Sequence, residues 1–96
     1  MHNSYVYIMS NKNRTTFYIG VTNQLQCRVM EHTQGTGSKF VAKYKLYDHV
    51  YYEHYTDINF AMQREKQLKN WHRAWKINLI KSFNPEMKDL KEQIFL

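Results

Sequence analysis

Residues 5–20 read YVYIMSNKNRTTFYIG and carry two tyrosine-bearing triplets, Tyr-Val-Tyr and Tyr-Ile-Gly. Tyr5–Met9 and Thr16–Ile19 are rich in β-branched and aromatic residues, whereas residues 10–15 between them are mostly turn formers. This pattern predicts a β-hairpin with a longer loop, whose second strand ends at Gly20. Two interpretations of the hairpin stay open at this point. Its tyrosines are either ordinary core residues or side chains placed for chemistry.

The middle of the chain predicts one helix, one loop and one strand. A helix is predicted over residues 23–32, with Thr22 or Asn23 as its N-terminal cap. The glycines in residues 35–37 then predict a loop. Leu46–Tyr52 is rich in strand-forming residues and predicts a third strand.

The last part of the chain predicts two more helices. Asp57 is placed to cap a helix over Ile58–Asn70. A further helix is expected over Trp71–Phe83, because Asn84 and Pro85 cannot continue it. The predicted order is therefore β-β-α-β-α-α. This order is typical of an α+β fold in which a small, mostly antiparallel three-stranded sheet is flanked by helices.

Helical spacing indicates which side chains of these two helices face the core. In the first of them the apolar stripe includes Glu65, a single carboxylate among apolar neighbours, which should therefore have a partner or a metal ion. Its other members are Ile58, Ala61 and Leu68. In the second helix the positions expected to face inward are Trp71, Trp75, Leu79 and Ile80.

Composition narrows the class of protein. The chain has 96 residues and a formal net charge of +6, which favours a polyanionic partner such as nucleic acid, although solubility alone would also explain the charge. Cys27 is the only cysteine, so neither an intramolecular disulfide nor a cysteine zinc site is expected. We find neither a signal peptide nor a membrane-spanning apolar run, and a reducing cytoplasm fits best.

Several motifs in order resemble the GIY-YIG nuclease superfamily, which includes the N-terminal incision domain of the bacterial excinuclease. These are the two tyrosine triplets, an arginine ten residues after the second tyrosine, a histidine four residues later, and the segment AMQREKQLKNWHRAWKINLI at residues 61–80. Small stand-alone bacterial members are the most similar. The resemblance covers about residues 5–90. The first triplet begins with Tyr5 where the family has glycine, and Val21 stands where the excision-repair relatives have lysine.

The resemblance implies a set of site residues. The catalytic positions it indicates are Tyr7, Tyr18, Arg28, His32 and Glu65, and Gly20 is the glycine of the second triplet. Glu65 would bind one divalent ion, Mg²⁺ or Mn²⁺, which prefers oxygen ligands. Arg28 would hold phosphate oxygens, and it would favour the phenolate of Tyr7, the tyrosine we expect to activate water. Tyr18 would support the hydrogen-bond network.

Each of these residues also has a purely structural interpretation. Tyr7 and Tyr18 would then be core residues, Arg28 a solvated arginine, His32 a packed histidine, and Glu65 an ion-pair partner of Arg64 or a lysine. The basic residues after the glycine loop are expected to contact the nucleic-acid backbone or simply to be solvated. They are Lys39, Lys43 and Lys45.

The function implied is metal-dependent endonucleolytic hydrolysis of DNA in repair or recombination. We expect it to be directed by DNA structure rather than sequence, because residues 1–90 form one domain without a separate recognition domain. Specificity would then depend on nucleic-acid shape or on a protein partner. The alternative is a non-catalytic nucleic-acid-binding module of a repair complex. Residues 91–96 are expected to form a loosely ordered tail.

Overall fold

The computed structural model describes residues 3–33 and 39–95, without the side chains of His32 and Thr33. The elements follow the predicted β-β-α-β-α-α order, with two short helices in addition. They are β1 (Ser4–Ser10), β2 (Phe17–Thr22), α1 (Leu25–Thr33), α2 (Lys39–Tyr44), β3 (Asp48–Tyr55), α3 (Ile58–Lys69), α4 (Arg73–Phe83) and α5 (Lys91–Ile94).

The three strands form one antiparallel sheet in the order β2-β1-β3. β1 is central and is covered on both faces, which explains its almost continuous apolar sequence. Val6 and Ile8 point to one face, where they pack with Ala61, Leu68 and Ile80 of α3 and α4. The predicted three-stranded sheet with flanking helices is confirmed.

The opposite face of the sheet holds the second core cluster. Tyr7 and Met9 of β1 pack there against Leu25 and Val29 of α1, and Val41 of α2 joins them. Because neighbouring residues of a strand point to opposite faces, the tyrosine of the first triplet lies on the α1 face.

The bounds of β2 and β3 differ from the prediction. β2 does not end at Gly20 but continues to Thr22, because Gly20 is paired with Tyr7 of β1 and Thr22 with Tyr5. β3 begins at Asp48 rather than Leu46 and extends to Tyr55, which pairs with Ser4 at the start of β1. The length of β1 therefore sets the lengths of both partner strands.

The helix α2 was not predicted from the sequence. It has only six residues, and only Val41 among them is buried. It ends in a Schellman motif, in which the Leu46 N–H donates to the Val41 carbonyl at 2.9 Å and the Lys45 N–H donates to the Ala42 carbonyl at 3.3 Å. The left-handed position of this motif is occupied by Lys45, with φ of 57°, rather than by the glycine that would have signalled it.

The two long helices confirm most of the prediction. The Asp57 side chain caps α3 by accepting from the Asn59 N–H at 2.8 Å. α4 ends at Phe83 as expected but begins at Arg73, two residues later than predicted. The inward position assigned to Trp75 is wrong, since 55% of this residue is exposed while Ile80 is fully buried. The inward stripe of α4 passes through Ile80 and does not include Trp75.

The segment between α4 and α5 is hydrogen-bonded to β3. The Asp89 carboxylate accepts from the His49 N–H at 3.0 Å, and the Leu90 N–H donates to the His49 carbonyl at 2.7 Å. Asn84 is buried and donates to the Val50 carbonyl at 3.1 Å. These bonds direct Lys91–Ile94 into the helix α5, where Ile94 is buried, so this segment differs from the loose tail that was expected. None of the helices in the described ranges is long and apolar enough to span a membrane.

Candidate active site

Tyr7 lies at the centre of the candidate site. Only 2% of it is exposed, and its ring packs 6.4 Å from the ring of Tyr18 on β2. The ring extends across the backbone of Gly20, which is its cross-strand partner. A β-carbon at Gly20 would lie 2.5 Å from Cζ of Tyr7 and would also overlap its hydroxyl. The glycine therefore leaves the space into which the phenol of Tyr7 extends.

Arg28 approaches from α1. The helix begins after Thr22, whose side-chain hydroxyl accepts from the Gln24 N–H at 3.0 Å. The Arg28 side chain is 40% exposed and forms an ion pair with Glu31 at 3.4 Å, one helical turn further on. An exposed pair of this kind is weak, so the guanidinium is available to another anion at little cost.

Glu65 approaches from α3. Its side chain is only 19% exposed, and Oε1 lies 3.7 Å from Nζ of Lys69 on the next helical turn. Of the two ion-pair partners considered from the sequence, the structure thus shows a lysine and not Arg64. Arg64 instead forms a salt bridge with Glu53 of β3, with Nη2 3.0 Å from Oε2.

These side chains come from four different elements, and three of them affect the pKa of the fourth, Tyr7. Burial raises the pKa of Tyr7 well above that of a free tyrosine, and Tyr18 and the negative charge of Glu65 raise it further, whereas Arg28 lowers it. Tyr18, Arg28 and Glu65 therefore all lie within electrostatic range of the Tyr7 hydroxyl. As expected, Arg28 lowers the pKa of Tyr7 and so favours its phenolate. Burial nevertheless has the larger effect on this pKa.

The remaining predicted residues divide into two groups. His32 lies in α1, four residues after Arg28, but its side chain is outside the described part of the structure. Three lysines are exposed on or directly after α2, and Lys43 lies over the ring of Tyr44, with Nζ 5.4 Å from its centroid. They are Lys39, Lys43 and Lys45.

Glu65 suits one divalent ion better than a multi-ligand centre. Among the side chains that the structure describes, which do not include that of His32, no three His, Cys, Asp or Glu form a group that could hold a metal ion. A single, mostly shielded carboxylate suits an ion that keeps several waters and also binds substrate phosphate, as Mg²⁺ does, although such an ion would have to displace the Lys69 contact at 3.7 Å.

Sequence reasoning missed two side chains beside the site. His49 of β3 is fully buried, with its ring 6.2 Å from that of Tyr7. Phe40 of α2 is 42% exposed and packs 6.0 Å from Tyr18. The signal for Phe40 was available, because Phe40 and Tyr44 are four residues apart and would share one face of a helix.

Comparison with known proteins shows the family of the chain. A family model described as the GIY-YIG catalytic domain matches residues 3–78. The chain is 35% identical over 75 residues to a UPF0213 protein of Bacillus pumilus, covering 78% of this chain and 76% of that protein. It is 31% identical over 93 residues to a UPF0213 protein of Clostridium perfringens, covering 97% and 99%.

A solved structure extends the similarity to the fold. The solution NMR structure of a UPF0213 protein from Bacillus halodurans is similar to this chain with a TM-score of 0.53 and 28% sequence identity. The similarity covers 82% of this chain and 83% of that one.

Proposed function

Because this chain belongs to the GIY-YIG family, a nuclease superfamily, we propose that it is a metal-dependent endonuclease that hydrolyses phosphodiester bonds in DNA. The observation that supports this most is that Tyr18, Arg28 and Glu65, from three different elements, all act electrostatically on the buried phenol of Tyr7. A binding surface alone would need neither a shielded carboxylate nor a buried phenol beside it. We further propose that DNA structure directs the cleavage and that the activity serves repair or recombination.

In the proposed reaction each side chain has a separate task. Arg28 exchanges its weak contact with Glu31 for the oxygens of the scissile phosphate, to which a guanidinium offers a planar fork of donors. Tyr7 orients and activates the attacking water, and Tyr18 supports it from β2. His32, one helical turn after Arg28, is the candidate to accept the phenol proton.

Glu65 would hold the divalent ion, Mg²⁺ or Mn²⁺. When bound, the ion supplies positive charge that polarises the phosphate and favours ionisation of a neighbouring phenol. The position of Glu65 is fixed by α3, whose neighbouring Arg64 is bound to the sheet through Glu53. The helix segment that carries the carboxylate is therefore tied to the sheet, which helps to position an ion-binding side chain.

The test is cleavage of end-labelled DNA by the wild type and by Glu65→Gln. Blunt duplex, flap, branched and single-stranded substrates are each incubated with Mg²⁺, with Mn²⁺ or with chelator. Glu86→Gln is the matched control, because the Glu86 side chain is 80% exposed and lies outside the candidate site. We expect metal-dependent nicking by the wild type and by Glu86→Gln, and at least a roughly hundredfold loss for Glu65→Gln.

The same proteins test the alternative of a non-catalytic binding module. Binding of each DNA is measured by fluorescence anisotropy with and without Mg²⁺, and binding of the ion by calorimetry. The module predicts no cleavage, DNA affinity independent of Mg²⁺, and no difference between Glu65→Gln and wild type. That combination would overturn the proposed nuclease.

A further inference from the structure

The outer face of α2 carries two exposed aromatic rings side by side. Phe40 is 42% exposed and Tyr44 43% exposed, and their ring centroids are 4.7 Å apart. Only Val41 of this helix is buried, so packing in the core does not explain the two rings. Neighbouring exposed aromatics often mark a binding surface.

These rings are continuous with the candidate active site. Phe40 packs 6.0 Å from Tyr18, and Tyr18 packs 6.4 Å from Tyr7. The four rings therefore form a row that begins at the buried hydroxyl of Tyr7 and ends at the surface. We call this series, which consists of Tyr7, Tyr18, Phe40 and Tyr44, the aromatic row.

A cavity of about 490 Å³ lies at the outer end of the row. Tyr44 forms one part of its wall and Tyr47, which is 37% exposed, another. The β1–β2 loop contributes Asn13 and Lys12, and Lys45 lines the cavity after α2. The cavity thus offers aromatic faces, amide hydrogen-bonding groups and positive charge, which together suit a nucleobase and its phosphate.

The charge along this surface is positive. Lys43 lies over the Tyr44 ring, and Lys39 is exposed one turn earlier on α2. Asp48 also lines the cavity, but its carboxylate is bound to Arg14 at 2.8 Å. Phosphate groups that follow the row would therefore meet lysines, while the charge of Asp48 is already balanced.

We propose that the aromatic row and its cavity bind unpaired nucleotides next to the scissile phosphate. In a duplex the faces of the bases are covered by their neighbours, so exposed rings gain contact only with bases that are unstacked. The substrate class is therefore DNA with a single-stranded segment, such as a flap or an overhang. This inference rests on the proposed function, because it names the substrate of the same site.

The test separates binding by the row from cleavage. Affinity is measured by fluorescence anisotropy, in chelator, for a blunt duplex and for the same duplex with a single-stranded overhang. The variant is Phe40→Leu combined with Tyr44→Leu, which keeps apolar side chains but removes both rings. The control is Phe60→Leu, because Phe60 is 60% exposed and lies on α3, which packs on the other face of the sheet.

We expect the double variant to lose at least about fivefold in affinity for the overhang DNA, with less than about a twofold change on blunt duplex. Phe60→Leu should change neither, and Phe40→Tyr should retain wild-type affinity because it keeps a ring. A 2-aminopurine base in the overhang should be quenched by the wild type and by Phe60→Leu but not by the double variant. Thermal unfolding of each protein checks that the fold is intact.

Three results would overturn the inference. They are equal losses on both DNAs, no loss on either, and quenching that persists without the rings. Because these measurements contain no divalent ion, they do not depend on catalysis. Overhang binding through the rings without any cleavage would support the inference and overturn the nuclease. Cleavage that is equal on blunt and overhang DNA, and that does not depend on either ring, would support the nuclease and overturn the inference.

Discussion

The phenol of Tyr7 occupies the space that a side chain at Gly20 would need. The two residues are cross-strand partners, and a β-carbon at Gly20 would lie 3.0 Å from Cε1 and 2.5 Å from Cζ of Tyr7. The second triplet therefore needs its glycine because of the first triplet's tyrosine. The two triplets therefore form one structural unit. Tyr7 excludes a side chain at position 20, and Gly20 leaves room for the ring of Tyr7.

Gly20→Ala tests this relationship directly. The added methyl group should displace the Tyr7 ring, lower stability by about 1–3 kcal/mol and abolish any cleavage. Tyr7→Leu removes the atoms with which the methyl group would collide. In urea denaturation, the double variant should therefore be less destabilised than the sum of the two single variants. Additive costs would show that the two residues do not compete for space.

The raised pKa of Tyr7 predicts a loss of stability in alkali. Burial raises this pKa above the usual 10.0, so the folded protein holds the proton more tightly than the unfolded chain. The resulting stabilisation is complete below about pH 10 and is lost as the pH rises through the folded pKa. In metal-free buffer, the urea midpoint of the wild type should therefore fall more steeply above about pH 10 than that of Tyr7→Phe.

Tyr51 does not obscure this comparison. Burial and a hydrogen bond to Glu53 raise the pKa of Tyr51 as well, but Tyr51 is present in both proteins. The difference between the two alkaline profiles therefore reports Tyr7. Parallel profiles up to about pH 11 would show that Tyr7 is not held in its protonated form.

The three lysines of the α2 region predict a measurable ionic component of DNA binding. Replacing Lys39, Lys43 and Lys45 together by alanine should reduce the slope of log affinity against log salt concentration. The reduction should be up to about 0.9 for each phosphate that the protein no longer neutralises. Lys81→Ala is the control, because Lys81 is exposed on α4, which packs on the opposite face of the sheet. A slope unchanged in the triple variant would mean that these lysines are merely solvated.

Glu53→Gln should destabilise the protein in a pH-dependent way. Burial by itself would raise the pKa of Glu53, but hydrogen bonds from Arg64, Tyr51 and Tyr55 lower it below its usual range. The stabilisation is therefore present above the unfolded pKa of about 4.5 and is lost as the pH falls through the folded pKa. We expect a cost of about 1–3 kcal/mol at neutral pH that shrinks in acid.

Thermal unfolding across the acidic range checks this prediction. Glu86→Gln serves as the reference, because the Glu86 carboxylate is exposed and its ion pair with Lys88 is long at 3.9 Å. The reference variant should remain close to the wild type at every pH. A Glu53→Gln deficit that stays constant in acid would contradict the assigned pKa direction.

The sequence predicted the features that depend on local patterns. Strand-forming residues on either side of a turn-forming segment predicted the hairpin, and Asp57 predicted the start of α3. The motif order also pointed to Tyr7, Tyr18, Arg28 and Glu65, and the last three all affect the pKa of Tyr7 in the structure. Local sequence was sufficient here because each residue lies at a fixed point of a regular element.

The features that were missed depend on contacts between distant residues. Asp89 bonds to the backbone of His49, and nothing near Asp89 in the sequence indicates that partner. The end of α2 uses Lys45 where glycine would have been recognisable. The exposure of Trp75 follows from how α4 packs on the sheet, which helical spacing alone does not determine.

The bond between Arg64 and Glu53 has a consequence beyond stability. Successive residues of an α-helix point about 100° apart around its axis, so the direction of Glu65 is set by that of Arg64. By holding Arg64 against β3, Glu53 contributes, together with the buried Ala61 and Leu68, to the rotational setting of α3 and so to the direction of the neighbouring carboxylate. If Glu65 binds the proposed ion, its affinity should therefore respond to substitutions at Glu53, a residue of β3 outside the proposed site.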